Sequence, residues 1–93
     1  MKSIHIVLFA ALLAQPAFAA ERSATFSVSN MTCPLCPITV RSAISRVQGV
    51  ISVEVNGDLA HATVVYDDAQ ATTDAIAAAS ANAGYPATVI QVQ

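Results

Sequence analysis

The stretch VISVEVNGDLAHATVVY, Val50–Tyr66, carries two runs of alternating apolar and polar residues around an Asn-Gly pair. Alternation with a period of two is typical of strands that bury one face, and Asn-Gly is a strong signal for a hairpin turn. The stretch therefore predicts an antiparallel hairpin with strands at Val50–Val55 and Leu59–Tyr66. The side chains expected on its buried face are Ile51, Val53, Val55, Ala62, Val64 and Tyr66.

A helical segment is expected on each side of this hairpin. PITVRSAISRVQG begins with Pro37, which suits a first helical turn, and Gly49 is expected to stop the helix. TTDAIAAASANAG begins after Thr72 as N-cap and is expected to end at Gly84. The apolar stripe of the first helix is Val40, Ala43, Ile44 and Val47. The inner stripe of the second is Ile76, Ala79 and Ala83.

Two outer strands complete the pattern. ATFSVS, Ala24–Ser29, alternates like a half-buried strand, and PATVIQV, Pro86–Val92, is rich in β-branched residues. The order strand, helix, strand, strand, helix, strand is typical of an α+β, ferredoxin-like βαββαβ fold. We therefore expect a four-stranded antiparallel sheet with both helices on one face.

The amino terminus has the pattern of an export signal. Lys2 precedes the apolar run Ile4–Ala14, and Ala17-Phe18-Ala19 has the small-x-small form of a cleavage site. The run is shorter than the roughly 20 residues needed to span a membrane. We expect residues 1–19 to be a signal peptide, residues 20–93 to form one domain, and the protein to be periplasmic.

The charge of the exported part excludes one class of partner. Four basic residues include Lys2 of the predicted signal peptide, so three remain against six acidic residues, and three minus six is −3. Nucleic-acid binding depends on clustered cations, and the sequence has no such cluster. We therefore expect no nucleic-acid partner. We also expect the protein to be a monomer.

The segment NMTCPLCP, Asn30–Pro37, holds both cysteines of the chain, Cys33 and Cys36. A structural disulfide is one interpretation for an exported protein, although so short a loop gives little entropic stabilisation. A redox pair is another, because a helix N-terminus favours a reactive thiolate. A thioredoxin-like topology, however, is longer than this chain, and no catalytic base stands beside the pair in the sequence.

A metal clamp is the third interpretation. Two thiolates without further ligands suit soft ions such as Hg(II) or Cu(I), whereas zinc takes a fuller set of ligands. Outside the predicted signal peptide, His61 is the one histidine, and it is better explained as a solvent-facing strand residue. Met31 is best explained as an apolar anchor for the loop.

The residues MTCPLC, the apolar helix that follows, and the late AGYPA resemble the heavy-metal-associated domain family over Ala24–Val92. The resemblance implies that Cys33 and Cys36 are the metal ligands. The predicted signal peptide, CPITV and AGYP are most similar to the mercury-binding periplasmic members. This similarity implies a non-enzymatic carrier in mercuric resistance and detoxification, which passes Hg(II) by thiol exchange to an inner-membrane mercury transporter and uses no organic cofactor.

Two alternatives stay open at this point: a periplasmic Cu(I) chaperone, and a small thiol–disulfide oxidoreductase. The chain also departs from the family pattern in the cysteine segment. Asn30 stands where the family usually has glycine, although asparagine tolerates the same left-handed backbone. Pro34 and Leu35 replace the small residues usual between the cysteines. Tyr85 is expected at the same end of the sheet, where it would shield the metal or simply pack.

Overall fold

The computed structural model describes residues 20–93, and the predicted signal peptide at 1–19 lies outside them. The elements follow the expected βαββαβ order: β1 Glu21–Val28, α1 Cys36–Ser45, β2 Val50–Asn56, β3 His61–Asp67, α2 Thr73–Asn82 and β4 Ala87–Val92. Within these residues no helix has the length and apolarity needed to cross a membrane.

The strands form a single sheet in the order β2-β3-β1-β4, and every neighbouring pair is antiparallel. Helix α1 packs mainly on β2, helix α2 packs on β4 and β1, and the two helices contact each other. The predicted ferredoxin-like α+β fold is confirmed. In this antiparallel order β1 and β2 run one way and β3 and β4 the other, so the β1–α1 loop, the β2–β3 hairpin loop and the α2–β4 turn lie at one end of the sheet.

The core lies between the helices and the covered face of the sheet. Phe26, Val40, Ile44, Val64 and Ile76 are each 0% exposed. The three side chains predicted to face inward from β3 do so, at 0 to 3% exposure: Ala62, Val64 and Tyr66. The predicted N-cap is also confirmed, because the Thr72 hydroxyl accepts a hydrogen bond of 3.0 Å from the Ala75 amide.

The structure corrects two of the predicted buried faces. Ile51 is 54% exposed, because a register shift between Val50 and Ser52 turns it outward, and Val50 packs against the core instead. Ala83, the C-cap of α2, is exposed, whereas Ser80 within the helix is fully buried. The inner face of α2 therefore follows the i, i+4 spacing from Ile76 to Ser80.

Two predicted boundaries were also wrong. Helix α1 ends at Ser45, well before Gly49, whose φ of +98° serves the turn into β2. The hairpin loop is the four-residue segment 57–60, whereas the predicted strands left the three residues 56–58 for it. Asn56 accepts a hydrogen bond of 3.0 Å from the Leu59 amide through its side chain, and Ala60 takes a left-handed φ of +58° before β3 begins.

Candidate metal centre

Cys33 and Cys36 lie at the junction of the β1–α1 loop and α1. Cys33 is in the loop, and Cys36 is the first residue of the helix. Their Cα atoms are 5.2 Å apart, and the two residues are joined by a disulfide. The pair is unequally accessible, since Cys33 is exposed whereas Cys36 is only 4% exposed. A reagent or partner arriving from solvent therefore meets Cys33 first.

The helix begins at Cys36 because the local backbone closes a turn there. The Cys36 amide donates to the Cys33 carbonyl oxygen at 3.1 Å, and the Ile38 amide donates to the Leu35 carbonyl oxygen at 3.1 Å. Leu35 is the N-cap residue and makes no capping hydrogen bond through its side chain. Pro37 occupies the first turn, as predicted, where its missing N–H costs nothing.

The electrostatic surroundings of the pair favour negative sulfur. The first turn of α1 contains no acidic residue, so no carboxylate opposes a thiolate there. The positive end of the helix dipole favours anions at this position. The Cys33 amide also donates toward Cys36 Sγ at 3.3 Å. As a disulfide the pair offers no thiolate, so binding a soft cation first requires two-electron reduction to two thiols and then loss of their protons.

The loop is fastened to the α2–β4 turn. The Ser29 amide donates to the Pro86 carbonyl oxygen at 2.8 Å, and Asn30 Nδ2 donates to the Gly84 carbonyl oxygen at 3.3 Å. Asn30 has the left-handed φ, +72°, that its position suggested. Sequence reasoning foresaw this backbone but missed the contact of the amide, because its partner is 54 residues away.

Two further residues anchor this end of the molecule. Met31 is half-buried and packs against the core, which agrees with the role of apolar anchor predicted for it. Tyr85 lies at the same end of the sheet as the cysteines, also as predicted, and it packs against the core. The core contact favours the packing role for Tyr85 over a role as a shield.

His61 does not extend the thiol pair into a larger ligand set. It begins β3, opposite Asn56 on one side and Ser27 on the other, and it lines a shallow groove with Pro37 and Arg41. Among residues 20–93 no group of three or more Cys, His, Asp or Glu side chains is arranged to hold a metal ion. Two thiolates without further ligands would fit soft, low-coordinate ions better than zinc.

Comparison with known proteins gives consistent results for sequence and structure. Residues 25–86 match the heavy-metal-associated domain. The "mercuric transport protein periplasmic component" of Pseudomonas aeruginosa is 43% identical over 98% of this chain and 100% of its own length. The protein with the same description from Serratia marcescens is 42% identical over 96% of this chain and 98% of its own length.

Solved structures of oxidized MerP, of mercury-bound MerP and of one copper binding domain share the fold. Oxidized MerP from Ralstonia metallidurans is 46% identical, with a TM-score of 0.76 over 77% of this chain and 100% of that one. The mercury-bound form of MerP is 43% identical, with a TM-score of 0.70 over 77% of this chain and 100% of that one. A copper binding domain from the P-type ATPase HMA7 is 28% identical, with a TM-score of 0.75 over 77% of this chain and 97% of that one. With the βαββαβ fold and the Cys-x-x-Cys pair at the start of α1, these matches place the chain in the heavy-metal-associated domain family.

Proposed function

We propose that this protein is a periplasmic carrier that binds one Hg(II) between the thiolates of Cys33 and Cys36. The observation that carries the proposal is the position of the pair: one exposed and one buried sulfur at the N-terminus of α1, with Cα atoms 5.2 Å apart. Two thiolates satisfy the low coordination number that Hg(II) accepts. The relatives described as periplasmic components of mercuric transport support Hg(II) as the cargo.

Release of the ion follows from the same geometry. The exposed Cys33 sulfur is accessible to an acceptor thiolate, which attacks the bound Hg(II) and replaces the protein sulfurs one at a time. The acceptor we propose is a cysteine pair of an inner-membrane mercury transporter. Two apolar side chains at the loop and the start of α1 are accessible to a partner: Leu35 is 68% exposed and Ile38 is 62% exposed. In this scheme the protein moves the ion and transforms no substrate.

A titration of the reduced protein with Hg(II) tests the proposal. We expect one Hg(II) per chain, with both thiols lost to a thiol reagent, and a sharp loss of affinity in Cys33→Ser and in Cys36→Ser. Ser42→Ala, an exposed change on α1, is the control and should bind like the unaltered protein. Native affinity in either cysteine variant would refute the two-sulfur clamp.

Cu(I) is the second candidate cargo, because the copper binding domain from HMA7 shares the fold at a TM-score of 0.75. That domain is 28% identical to this chain, against 46% and 43% for the two MerP structures. Hg(II) is therefore preferred. Competition between the two ions for the reduced protein distinguishes them, and retention of Cu(I) in the presence of equimolar Hg(II) would reverse the assignment.

An insulin-reduction assay separates the carrier from a thiol–disulfide oxidoreductase. A carrier is expected to give no turnover above that of the reductant alone. Robust turnover that disappears in Cys33→Ser would assign the pair to redox catalysis instead.

A further inference from the structure

Asn30 connects β1 to the loop that carries Cys33, and its backbone lies in the left-handed region at φ +72°. Glycine takes this conformation at a lower cost than any residue with a Cβ atom. The backbone alone therefore gives no reason for an amide side chain at this position.

The side chain of Asn30 makes a contact that glycine could not make. Its Nδ2 donates to the Gly84 carbonyl oxygen at 3.3 Å. The preceding residue, Ser29, donates its amide to the Pro86 carbonyl oxygen at 2.8 Å. Two successive residues at the entrance of the cysteine loop are thus bonded to the two residues that flank Tyr85.

The turn that receives these bonds is itself held from the core. The fully buried Ser80 donates its hydroxyl to the Tyr85 carbonyl oxygen at 2.6 Å, and Tyr85 packs on the core cluster. The Gly84 amide donates to the Ala81 carbonyl oxygen at 2.9 Å. The Asn30 amide is therefore attached to a part of the fold that the C-terminal end of α2 keeps in place.

On its other side, Asn30 is close to the reactive sulfur along the chain. Its carbonyl oxygen accepts a hydrogen bond of 2.9 Å from the amide of Thr32, the residue before Cys33. This bond closes a tight turn around Met31. A restraint on Asn30 is consequently passed to the backbone next to Cys33.

We propose that Asn30 is a positioning residue for the thiol pair, through the hydrogen bond of its amide to Gly84. Reduction of the disulfide removes the covalent link, and the shape of the loop then determines how close the two sulfurs stay. By restraining the loop entrance, Asn30 raises the effective concentration of one sulfur at the other. A disulfide bridge between the two sulfurs is therefore favoured. On the basis of the proposed function, a bound Hg(II) that bridges the two sulfurs is favoured in the same way.

The test uses Asn30→Gly, which suits the backbone and removes the amide. Its matched control is Ala60→Gly, which places glycine at the second left-handed non-glycine position among residues 20–93, φ +58°, and removes no side-chain hydrogen bond. The first measurement is the equilibrium with glutathione, in which the protein disulfide and two glutathione thiols give the protein dithiol and glutathione disulfide. The second is the affinity of the reduced protein for Hg(II), measured by competition with a dithiol chelator.

We expect Asn30→Gly to shift the glutathione equilibrium toward the dithiol by about two- to fivefold, as for the loss of one weak exposed hydrogen bond. Hg(II) affinity should fall by a similar factor, and Ala60→Gly should leave both values unchanged. A glutathione equilibrium for Asn30→Gly equal to that of the native protein, or an equal shift in Ala60→Gly, would overturn the positioning role. If the expected shift appears and the reduced native protein binds no Hg(II), the positioning role stands and the proposed function fails.

Discussion

The buried hydroxyl of Ser80 donates a hydrogen bond of 2.6 Å to the carbonyl oxygen of Tyr85, and the Tyr85 amide donates back to the Ser80 carbonyl oxygen at 3.0 Å. This reciprocal pair joins the end of α2 to the turn before β4. Because Asn30 and Ser29 bond to the same turn, the pair also supports the loop that carries the cysteines.

Removing the Ser80 hydroxyl should destabilise the fold. Ser80→Ala leaves the Tyr85 carbonyl without that donor in a partly buried place, which costs about 1–3 kcal/mol of unfolding free energy. Urea denaturation measures the change. Ser45→Ala is a matched control, because its hydroxyl also donates to a backbone carbonyl, that of Arg41 at 2.7 Å, but on an exposed surface. Equal losses in the two variants would contradict the importance of burial.

Glycine at position 60 should stabilise the protein. Ala60 holds a left-handed φ of +58° at the end of the hairpin loop, and this conformation costs an L-residue roughly 1–2 kcal/mol. The greater freedom of glycine in the unfolded chain offsets part of the gain, so we expect a net increase of about 0.5–1 kcal/mol for Ala60→Gly. The midpoint of thermal or urea unfolding gives the result, and a decrease would show that the loop relaxes differently.

Alanine at Gly49 should cost more than alanine at Gly84. Both glycines have positive φ, +98° and +103°, so both variants suffer backbone strain. A Cβ at position 49 would also lie 2.7 Å from the Cβ of Gln70, whereas a Cβ at position 84 has no neighbour within 4 Å. The difference between the two unfolding free energies therefore isolates the steric clash. Equal losses of unfolding free energy in the two variants would mean that the segment containing Gln70 moves away from the added Cβ at no cost.

The two sulfurs should react at different rates. Cys33 is exposed and Cys36 is 4% exposed. Under native conditions the Cys33 thiol, which remains in Cys36→Ser, should therefore be alkylated faster than the Cys36 thiol, which remains in Cys33→Ser. The same measurement in denaturing urea is the control, because unfolding removes the difference in burial and should bring the rates together. A faster Cys36 in the folded protein would reverse the order of ion entry and release argued for the carrier.

The ion pair between Arg22 and Asp68 should contribute to stability only above acidic pH. Arg22 Nε lies 2.8 Å from Asp68 Oδ2, and the hydrogen bond from Arg22 lowers the pKa of Asp68 below its ordinary value of 3.8. Because the pKa of Asp68 is lower in the folded protein, the ion pair stabilises the fold at pH values above the pKa of the unfolded chain. This stabilisation is lost as the pH falls through the pKa of the folded protein. Screening by solvent keeps the effect small, because both side chains are exposed to water.

Comparison of the native protein with Asp68→Asn across a pH series tests this. The native protein should be the more stable at neutral pH, and the difference in urea midpoint should disappear in strong acid. Asp58→Asn, a change in the exposed hairpin loop, is the control for the loss of one acidic group. A difference that persists in acid would indicate that the asparagine variant loses packing rather than charge.

The sequence by itself determined the order of elements, the buried face of β3, the cap at Thr72 and the left-handed backbone of Asn30. These features depend on periodicity and on the preferences of a few neighbouring residues, so they can be read along the chain. The Cys-x-x-Cys spacing at the start of α1 belongs to the same group, and so does the family resemblance that it carries.

Only the tertiary structure decided which residues meet across the fold. The register shift that exposes Ile51 depends on how β2 pairs with β3, and the burial of Ser80 depends on the turn that its hydroxyl meets. The contact of Asn30 with Gly84 joins residues 54 positions apart. Such features are set by distant segments brought together, and neither local propensity nor spacing contains that information.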